Sequence, residues 1–371
     1  MALFRHHGQV FTTQSGVGMT RVLLISNMFP DPNNPMRGVF VERVFDQLQR
    51  IDGLQVSTCV LRLKTHIALD YLVFYAVAIW RIVWLGKGVI YCHFVSRTGL
   101  LALLAKWILR RRVIINCHGS DVVVPANNDG FLHRINALVL KHSDRIIVPS
   151  EHFKGKLNEL FELHNDQVVV YPSGGVFYPQ QHDLAEKIAH KDYPLQLGFV
   201  GTLSVSKGLL VLIDALNRVH YPCALQVAGS GDLGLLHKID NPQVEVVFHG
   251  VLNATELKGF YAALDLLLFP TLMPESLGLV PLEAMAFAVP VVASRLGAVS
   301  EYVHHGDNGF LVDAGDSDQL LACIDGFNGL PKEQVARLAL GARETALAYD
   351  ESKIFINLQA IFTQDYGQQC I

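Results

Sequence analysis

The sequence predicts an α/β protein with two doubly wound, Rossmann-like parallel-sheet domains in tandem, facing each other across a central cleft. Its 371 residues exceed the roughly 250–300 over which a single core usually grows, so two domains are expected. Short runs of Val, Ile and Leu alternate with helical patterns in both halves, which indicates parallel strands covered by helices on both faces. A polar stretch bounded by Pro and Gly, at about residues 173–194, separates the halves.

Each half contains apolar runs of strand length, and helical patterns lie between them. In the front half the predicted strands are 22–26, 55–61, 89–93, 113–117, 145–148 and 168–171, and the predicted helices are 39–49, 99–109 and 131–141. In the back half the predicted strands are 195–200, 223–228, 244–248, 266–270, 289–293 and 309–312, with helices near 207–219, 255–263, 279–287, 317–327 and 350–366. Because ligands of such sheets bind beyond the carboxyl ends of the strands, residues that follow strands are the site candidates.

This pattern divides the chain into four segments. Residues 1–18 are polar and precede Met19, so we expect a disordered tail or a misassigned start. Residues 19–178 form the N-terminal domain and residues 179–348 the C-terminal domain. Residues 349–371 are expected to contain a helix that packs back on the N-terminal domain.

The net charge of −4 conceals an asymmetry between the halves. Residues 1–180 carry 19 Lys and Arg against 12 Asp and Glu. Residues 181–371 carry 11 Lys and Arg against 22 Asp and Glu. A basic front half favours an anionic partner, such as membrane phosphates, phosphorylated lipids or nucleic acid, although uneven charge without function is an alternative. The six cysteines are scattered without a CxxC pair, which indicates free thiols in a reducing compartment.

The stretch 67–85 is the one candidate for membrane contact in the sequence. Asp70 and Arg81 bracket only ten apolar or aromatic residues, which is too short to span a bilayer. The aromatic residues and Arg81 suit a helix that lies at a membrane interface. A core helix is an equal alternative.

Two carboxylates eight positions apart form the strongest chemical motif. Glu275 and Glu283 flank a predicted strand-to-helix turn, and eight helical steps cover about 12 Å, the scale between the sugar and the ribose of a nucleotide sugar. Free N–H groups of Gly278, Leu279 and Val280 at the helix start would hold a diphosphate between them. Two ordinary surface glutamates are the alternative.

Other polar residues follow predicted strands. Lys207 and Gly208 open a helix after the strand that ends at Gly201, and Lys207 would supply a charge for a phosphate. Gly229, Gly231 and Gly234 have dinucleotide-motif spacing, but no acidic residue ends a following strand about 20 residues on, as that motif requires. In the front half the candidates are His118, Arg37, Gly38, His93, Arg97 and Asp121.

In this order, the motifs resemble the family 4 glycosyltransferases, which have the GT-B fold. The resemblance covers about residues 20–365 and is densest in the back half. Its segments are Gly201-Thr-Leu…Lys207-Gly208, Ala228-Gly-Ser-Gly, Phe248-His-Gly250, Ala263–Pro270, Glu275…Glu283, Pro290-Val-Val-Ala-Ser, Gly297 and Gly309-Phe-Leu-Val. The front-half loops at Arg37 and His118 resemble the bacterial branch that builds capsule, exopolysaccharide or teichuronic-acid type polymers.

The resemblance implies a retaining enzyme that uses a nucleoside-diphosphate sugar. Glu283 would bind the ribose hydroxyls, Glu275 the donor-sugar hydroxyls and Lys207 the diphosphate, while His118 would contact the donor sugar. His118, Lys207 and Glu275 are thus the implied catalytic residues. Further implied donor contacts are Gly38, Gly201, Thr202, Gly229, Gly250, Val251, Gly278, Leu279 and Val280, and the expected acceptor contacts are Arg37, His93, Arg97 and Asp121.

One position departs from the family pattern. Thr202 stands where the family often has Arg, so either Lys207 suffices with the helix-start amides, or Arg37 or Arg295 substitutes, or activity is weak. No metal and no other cofactor is expected, because Lys207 and the helix start carry the compensating charge. Asp316 and Asp318 form a D-x-D pattern, but their place before a helix favours capping over metal binding.

The expected partners are a nucleotide sugar, a lipid-linked or oligosaccharide acceptor and a membrane surface, without nucleic acid. The expected location is cytoplasmic, at the inner face of the plasma membrane. The donor sugar and its base, whether uracil, guanine or adenine, stay open. Two alternatives use the same fold: a sugar-nucleotide epimerase, and a non-catalytic glycan-binding or assembly protein.

Overall fold

The structure of the protein, a computed structural model, describes residues 19–31, 37–63, 66–119, 121–122, 130–179 and 194–363. The predicted tail at 1–18 and most of the predicted linker lie outside the described residues. The described chain forms two parallel six-stranded sheets, each covered by helices. The predicted two-domain α/β fold is confirmed.

The front sheet has the strand order β2-β1-β3-β4-β5-β6, and all its strands are parallel. Its strands are β1 (Thr20–Ser26), β2 (Leu54–Val60), β3 (Gly88–His93), β4 (Arg112–Asn116), β5 (Arg145–Val148) and β6 (Val168–Val170). Its helices are α1 (Val39–Gln49), α2 (Ile67–Trp84), α3 (Val95–Trp107), α4 (Gly130–His142) and α5 (Glu151–Phe161). One face of the sheet packs on α2 to α5 and the other on α1, since alternate strand residues belong to the two cores.

The back sheet has the order β12-β11-β10-β7-β8-β9 and is also parallel. Its strands are β7 (Leu195–Leu203), β8 (Cys223–Gly231), β9 (Val244–Gly250), β10 (Leu266–Phe269), β11 (Val291–Ser294) and β12 (Gly309–Val312). Its helices are α6 (Leu209–Leu216), α7 (Ala254–Ala262), α8 (Leu279–Ala286), α9 (Val299–Tyr302), α10 (Ser317–Gly329) and α11 (Lys332–Leu347). Asp316 caps α10 by accepting a hydrogen bond from the N–H of Gln319 at 2.9 Å, as predicted.

Among the described residues, the segment at Val176 that leaves the front half pairs with the segment at Tyr349 that returns to it. The N–H of Val176 donates to the carbonyl of Tyr349 at 2.8 Å, and the N–H of Glu351 donates to the carbonyl of Val176 at 3.0 Å. The last described helix, α12 (Glu351–Thr363), then returns to the front half. There its residues Leu358 and Phe362 join the core between α1 and the sheet.

Candidate functional site

The two halves make direct contact at the carboxyl ends of their strands. The hydroxyl of Ser150, which caps α5, donates to the carbonyl of Ser276 at 2.7 Å. A Cβ on Gly119 would lie 3.0 Å from the Cβ of Ser276. Because Gly119 follows His118 and Ser276 follows Glu275, this contact brings a front-half and a back-half candidate to one place.

Lys207 and Glu275 form an ion pair at the centre of this region. The Nζ of Lys207 lies 2.6 Å from Oε1 of Glu275, and both side chains are partly exposed. Lys207 ends a short 3-10 turn, and the carbonyl of Ser206 in that turn accepts a hydrogen bond from the N–H of Leu272 at 2.9 Å. The turn is therefore fastened to the loop that leads to Glu275.

The position of the turn depends on a glycine. Gly208 has a φ of 77° and separates the 3-10 turn from α6, which explains why the predicted helix at 207–219 begins two residues late. A Cβ at Gly208 would lie 1.7 Å from the carbonyl oxygen of Pro270, so no other residue fits there without a backbone shift. Close packing of the Gly208 backbone against Pro270 thus fixes the position of Lys207.

The segment from Glu275 to the start of α8 is held by backbone contacts on its other side. The carbonyl of Glu275 accepts a hydrogen bond from the N–H of Ala298 at 3.0 Å. Gly278, with a φ of 80°, precedes α8, and its carbonyl accepts a hydrogen bond from the hydroxyl of Tyr302 at 2.7 Å. Leu279 and Val280 occupy the first turn of α8, where helix N–H groups have no partner within the helix. This geometry suits an anion next to Lys207.

Glu283 lies on α8 and is mostly enclosed by neighbouring groups. Its Oε2 accepts a hydrogen bond from the hydroxyl of Tyr261 at 2.9 Å. Burial raises the pKa of the Glu283 carboxyl, and the positive charge of Arg43, on α1 of the front half, partly opposes this. Sequence reasoning missed Tyr261 and Arg43, because neither belongs to a motif and they lie on two different helices.

His118 lies at the front-half side of the contact and forms a pair with His93. Its Nε2 lies 2.9 Å from Nδ1 of His93, and the two rings are stacked. The rings of Phe40 and Phe94 lie 4.8 Å and 4.5 Å from the His118 ring. Burial lowers the pKa of His118 to about 3, so its ring is neutral in the physiological pH range.

Two of the expected acceptor contacts, His93 and Asp121, have buried side chains. His93 is 0% exposed, and its ring stacks on that of His118. Asp121 is 4% exposed, and its two oxygens accept hydrogen bonds from the N–H groups of Val95 and His118, each at 2.9 Å. Asp121 thus fixes the loop that carries His118.

The other two expected acceptor contacts lie on the surface or near it. Arg37 is half-buried and donates to the carbonyl of Asn27 at 2.6 Å, whereas Arg97 is exposed at the start of α3. Arg295, the other predicted substitute for the family arginine, lies 3.8 Å from Asp313.

Two of the glycines that were predicted to contact the donor, Gly38 and Gly229, are required by close backbone packing within the chain. A Cβ on Gly38 would lie 2.8 Å from the backbone of Met28, and one on Gly229 would lie 1.9 Å from the carbonyl oxygen of Gly201. The chain itself therefore requires both glycines. Gly201 and Gly229 pair where β7 and β8 end, and Thr202 beside them is exposed. Gly250 and Val251 follow at the end of β9, with Val251 50% exposed.

The buried histidine pair predicts that acid destabilises the protein. The folded protein keeps both rings neutral, because burial lowers the pKa of His93 and of His118, while the unfolded chain protonates them below about pH 6.5. The unfolded state then binds more protons, so stability is lost as the pH falls from 6.5 towards the folded pKa. Asp121 acts in the opposite sense, since burial raises its pKa to about 6 and the folded state takes up that proton first.

The substitution His118→Gln is expected to reduce this acid sensitivity. A histidine that the fold keeps neutral lowers the free energy of unfolding by roughly 1 kcal/mol for each pH unit below its pKa in the unfolded chain. Urea unfolding at about pH 7.5, 6 and 5 measures the slope. His237→Gln, at an exposed position, is the control and should keep the wild-type slope. Equal slopes in wild type and His118→Gln would contradict the assigned neutral state.

Comparison with known proteins places these features in a family context. The family model for glycosyl transferases group 1 matches residues 194–327, and that for a glycosyl transferase 4-like domain matches residues 6–174, together 303 of the 371 residues. An uncharacterised glycosyltransferase of Methanocaldococcus jannaschii is 27% identical over 64% of this chain and 65% of its own length. The N-acetyl-alpha-D-glucosaminyl L-malate synthase of Bacillus anthracis is 26% identical over 71% of this chain and 70% of its own length. The chain thus spans about two thirds of the length of these relatives.

Solved structures share the fold at low sequence identity. Anabaena HepE, solved in complex with UDP and glucose, has a TM-score of 0.72 at 19% identity and covers 92% of this chain and 99% of its own. The sucrose-phosphate synthase of Thermosynechococcus elongatus has a TM-score of 0.74 at 19% identity, with 94% and 99% covered.

Proposed function

Since this chain belongs to the family 4, group 1 glycosyltransferases, we propose that it transfers a sugar from a nucleoside-diphosphate sugar to a lipid-linked or growing polysaccharide acceptor. The proposal includes retention of the anomeric configuration and a role in cell-surface glycan synthesis at the cytoplasmic face of the plasma membrane. The observation that carries it is the Lys207–Glu275 pair at 2.6 Å, next to the first turn of α8.

The donor would lie along α8. Glu283 would accept hydrogen bonds from the ribose hydroxyls, and its raised pKa reflects a partly desolvated carboxyl, the setting in which such bonds are strongest. Lys207 and the free N–H groups at the start of α8 would bind the diphosphate. Glu275, held beside Lys207, would accept hydrogen bonds from the hydroxyls of the sugar.

We propose the same-face transfer step that the family resemblance implies, and the charges of these groups are suited to it. The bond between the sugar C1 and the phosphate oxygen breaks, a bond from C1 to the acceptor oxygen forms on the same face, and a phosphate oxygen takes the acceptor proton. Lys207 would stabilise the negative charge that develops on the leaving diphosphate. Glu275 already pairs with Lys207, so we assign it to substrate binding and not to base catalysis.

His118 would act through a hydrogen bond to the donor sugar and not through charge. Its lowered pKa keeps the ring neutral in the physiological range. Its Nε2 engages His93, so Nδ1 is the ring atom that we assign to the sugar. Closure of the two halves over the donor would exclude water and limit hydrolysis.

We further propose a uridine nucleotide as the donor, with a hexosyl or N-acetylhexosaminyl group. Anabaena HepE was solved with UDP and glucose, and the Bacillus anthracis relative carries N-acetylglucosaminyl in its name. No divalent cation is needed in this proposal, because Lys207 and the start of α8 supply positive charge at the diphosphate.

Thermal unfolding with UDP, GDP, ADP and their sugar conjugates tests the donor proposal. A nucleotide at 100 times its dissociation constant should add about 2.7 kcal/mol of stability, and the shift should persist with a chelator. Glu283→Gln should weaken the shift, whereas Glu245→Gln, on the exposed edge strand β9, should not. A panel without any shift, together with no sugar transfer, would instead support the non-catalytic alternative.

A further inference from the structure

The outer faces of α2, α3 and α4 form one exposed apolar surface. In α2 the buried residues are Phe74, Ala78 and Ile82, a single stripe at four-residue spacing that packs on the front sheet. The exposed large apolar residues of α2 are Ile67, Leu69, Leu72, Val73, Val77, Ile79, Trp80, Val83 and Trp84. The surface continues on the neighbouring helices with Leu100, Trp107, Ile108, Phe131 and Leu138. We call these 14 residues the apolar face.

An apolar face of this extent is unusual for a protein surface in water. Among the described residues, 14 of the 25 exposed large apolar side chains belong to it. Such patches mark interaction sites with proteins or membranes. The helix α2 alone has 18 residues with a mean hydropathy of 1.6.

The tryptophans favour a lipid partner. The sequence contains three Trp, and all of them lie on the apolar face, where Trp80, Trp84 and Trp107 are 62%, 72% and 51% exposed. Tryptophan is otherwise largely buried, and it is enriched where apolar chains meet water at the membrane interface.

The charge around the apolar face favours an anionic partner. Between residues 67 and 142 the sequence contains nine Lys and Arg against three Asp and no Glu. Residues 67–142, which contain α2, α3 and α4, thus carry most of the net positive charge of the front half. Lys87, Arg97, Arg110, Arg134 and Lys141 are exposed.

A cavity of about 370 Å³ adjoins the end of α2 and is lined by both tryptophan and arginine side chains. Trp80 and Trp84 line it together with Arg21 and Arg81. Arg21 donates to the carbonyl of Leu85 at 3.3 Å, and Arg81 donates to the carbonyl of Thr58. Because a guanidinium has five N–H donors, both keep donors for a phosphate.

We propose that the apolar face docks on the surface of an anionic phospholipid bilayer, with α2 along the interface and a lipid headgroup phosphate in the cavity. The length and composition of α2 would also allow it to cross a bilayer, although the ten-residue run predicted from the sequence would not. The stripe of Phe74, Ala78 and Ile82 fastens it to the sheet, so we assign it to the interface. This inference deepens the proposed function by identifying the surface that meets the membrane.

Intrinsic tryptophan fluorescence tests the docking without a sugar donor. All emission comes from the apolar face, so vesicles of phosphatidylcholine with phosphatidylglycerol should shift the emission to shorter wavelength, and pure phosphatidylcholine should do so much less. Bromine near the headgroups should quench the emission more than bromine at the chain ends. Unchanged emission would refute docking, and stronger quenching from the chain ends would indicate a crossing helix instead.

Surface variants distinguish docking on lipid from binding to a second copy of this chain. The double substitution Leu69→Gln, Leu72→Gln should weaken vesicle binding about tenfold or more, because it removes apolar area from the contact. Leu340→Gln, Ile356→Gln is the matched control, since these residues are exposed outside the apolar face, and binding should not change. A lipid-free dimer that Leu69→Gln, Leu72→Gln dissociates, seen by light scattering, would show a second copy as the occupant. If the protein transfers sugar to a soluble acceptor but does not bind vesicles, the docking proposal is refuted and the proposed transferase function stands.

Discussion

The substitution Lys207→Ala is expected to lower kcat for sugar transfer by about 10²–10³-fold, the effect of removing one preorganised group that stabilises developing negative charge. Two causes act together. The leaving diphosphate would lose the cation that we assign to it. Glu275 would lose the partner that lies 2.6 Å away, so an unpaired carboxylate would then face the phosphates. Initial rates with a UDP-sugar donor, or single-turnover transfer if the product leaves slowly, measure the effect.

The fold should survive this change. The pair is partly exposed, and exposed ion pairs contribute about 0–1 kcal/mol to stability, so the thermal midpoint should move little. Lys238→Ala, at an exposed position of the same domain, is the control and should retain full activity. Lys207→Arg should restore only part of the rate, because a planar guanidinium does not replace a compact ammonium. Wild-type turnover in Lys207→Ala would contradict the assignment of the diphosphate site.

The substitution Gly208→Ala is expected to lower the free energy of unfolding by about 2–5 kcal/mol, from the cost of a left-handed backbone together with overpacking. At a φ of 77° the new Cβ would lie 1.7 Å from the carbonyl oxygen of Pro270, and that oxygen is backbone, which cannot rotate away. Activity should fall as well, because any shift that relieves the clash moves Lys207. Urea unfolding and transfer rates at the same temperature measure both effects.

Gly306→Ala separates the two causes of this loss. Gly306 has a φ of 85°, but a Cβ there would meet no atom within 4 Å. Gly306→Ala should therefore lower the free energy of unfolding only by the cost of the left-handed backbone, about 1–2 kcal/mol, and activity should be retained. Similar losses in the two variants would contradict the close approach of Gly208 to Pro270.

The fold was predictable because its strands are short, apolar and regularly spaced. The strands β5 and β12 have the predicted bounds, and other strands differ by a few residues at their ends. Two of the longer helices, α5 and α11, were missed. Each contains an internal glycine, Gly155 or Gly341, but the predicted helices α7 and α10 also contain one, so glycine alone does not explain why they were missed. Gly341 has a packing reason for its place, since a Cβ there would lie 2.4 Å from the carbonyl oxygen of Asp307.

The candidate site was predictable only where its residues are close in sequence or follow strands. The proximity of Glu275 to Lys207, at the ends of two adjacent strands, is of this kind. The burial of His93 could not be predicted, because it depends on how the rings of Tyr91 and His118 pack against it. The contact of Tyr261 with Glu283 depends on how two helices pack, which no spacing in the sequence encodes.

The return of α12 to the front half has a consequence for synthesis on the ribosome. The front sheet is complete in sequence at Val170, but the core on one of its faces includes Leu358 and Phe362, with the Phe362 ring 5.3 Å from that of Tyr91. Translation proceeds from the N-terminus, and domains generally fold as they emerge. Here the first domain to emerge completes its core only after the second has been translated. The part of this face that α12 covers beside α1 therefore stays uncovered while residues 171–358 are made.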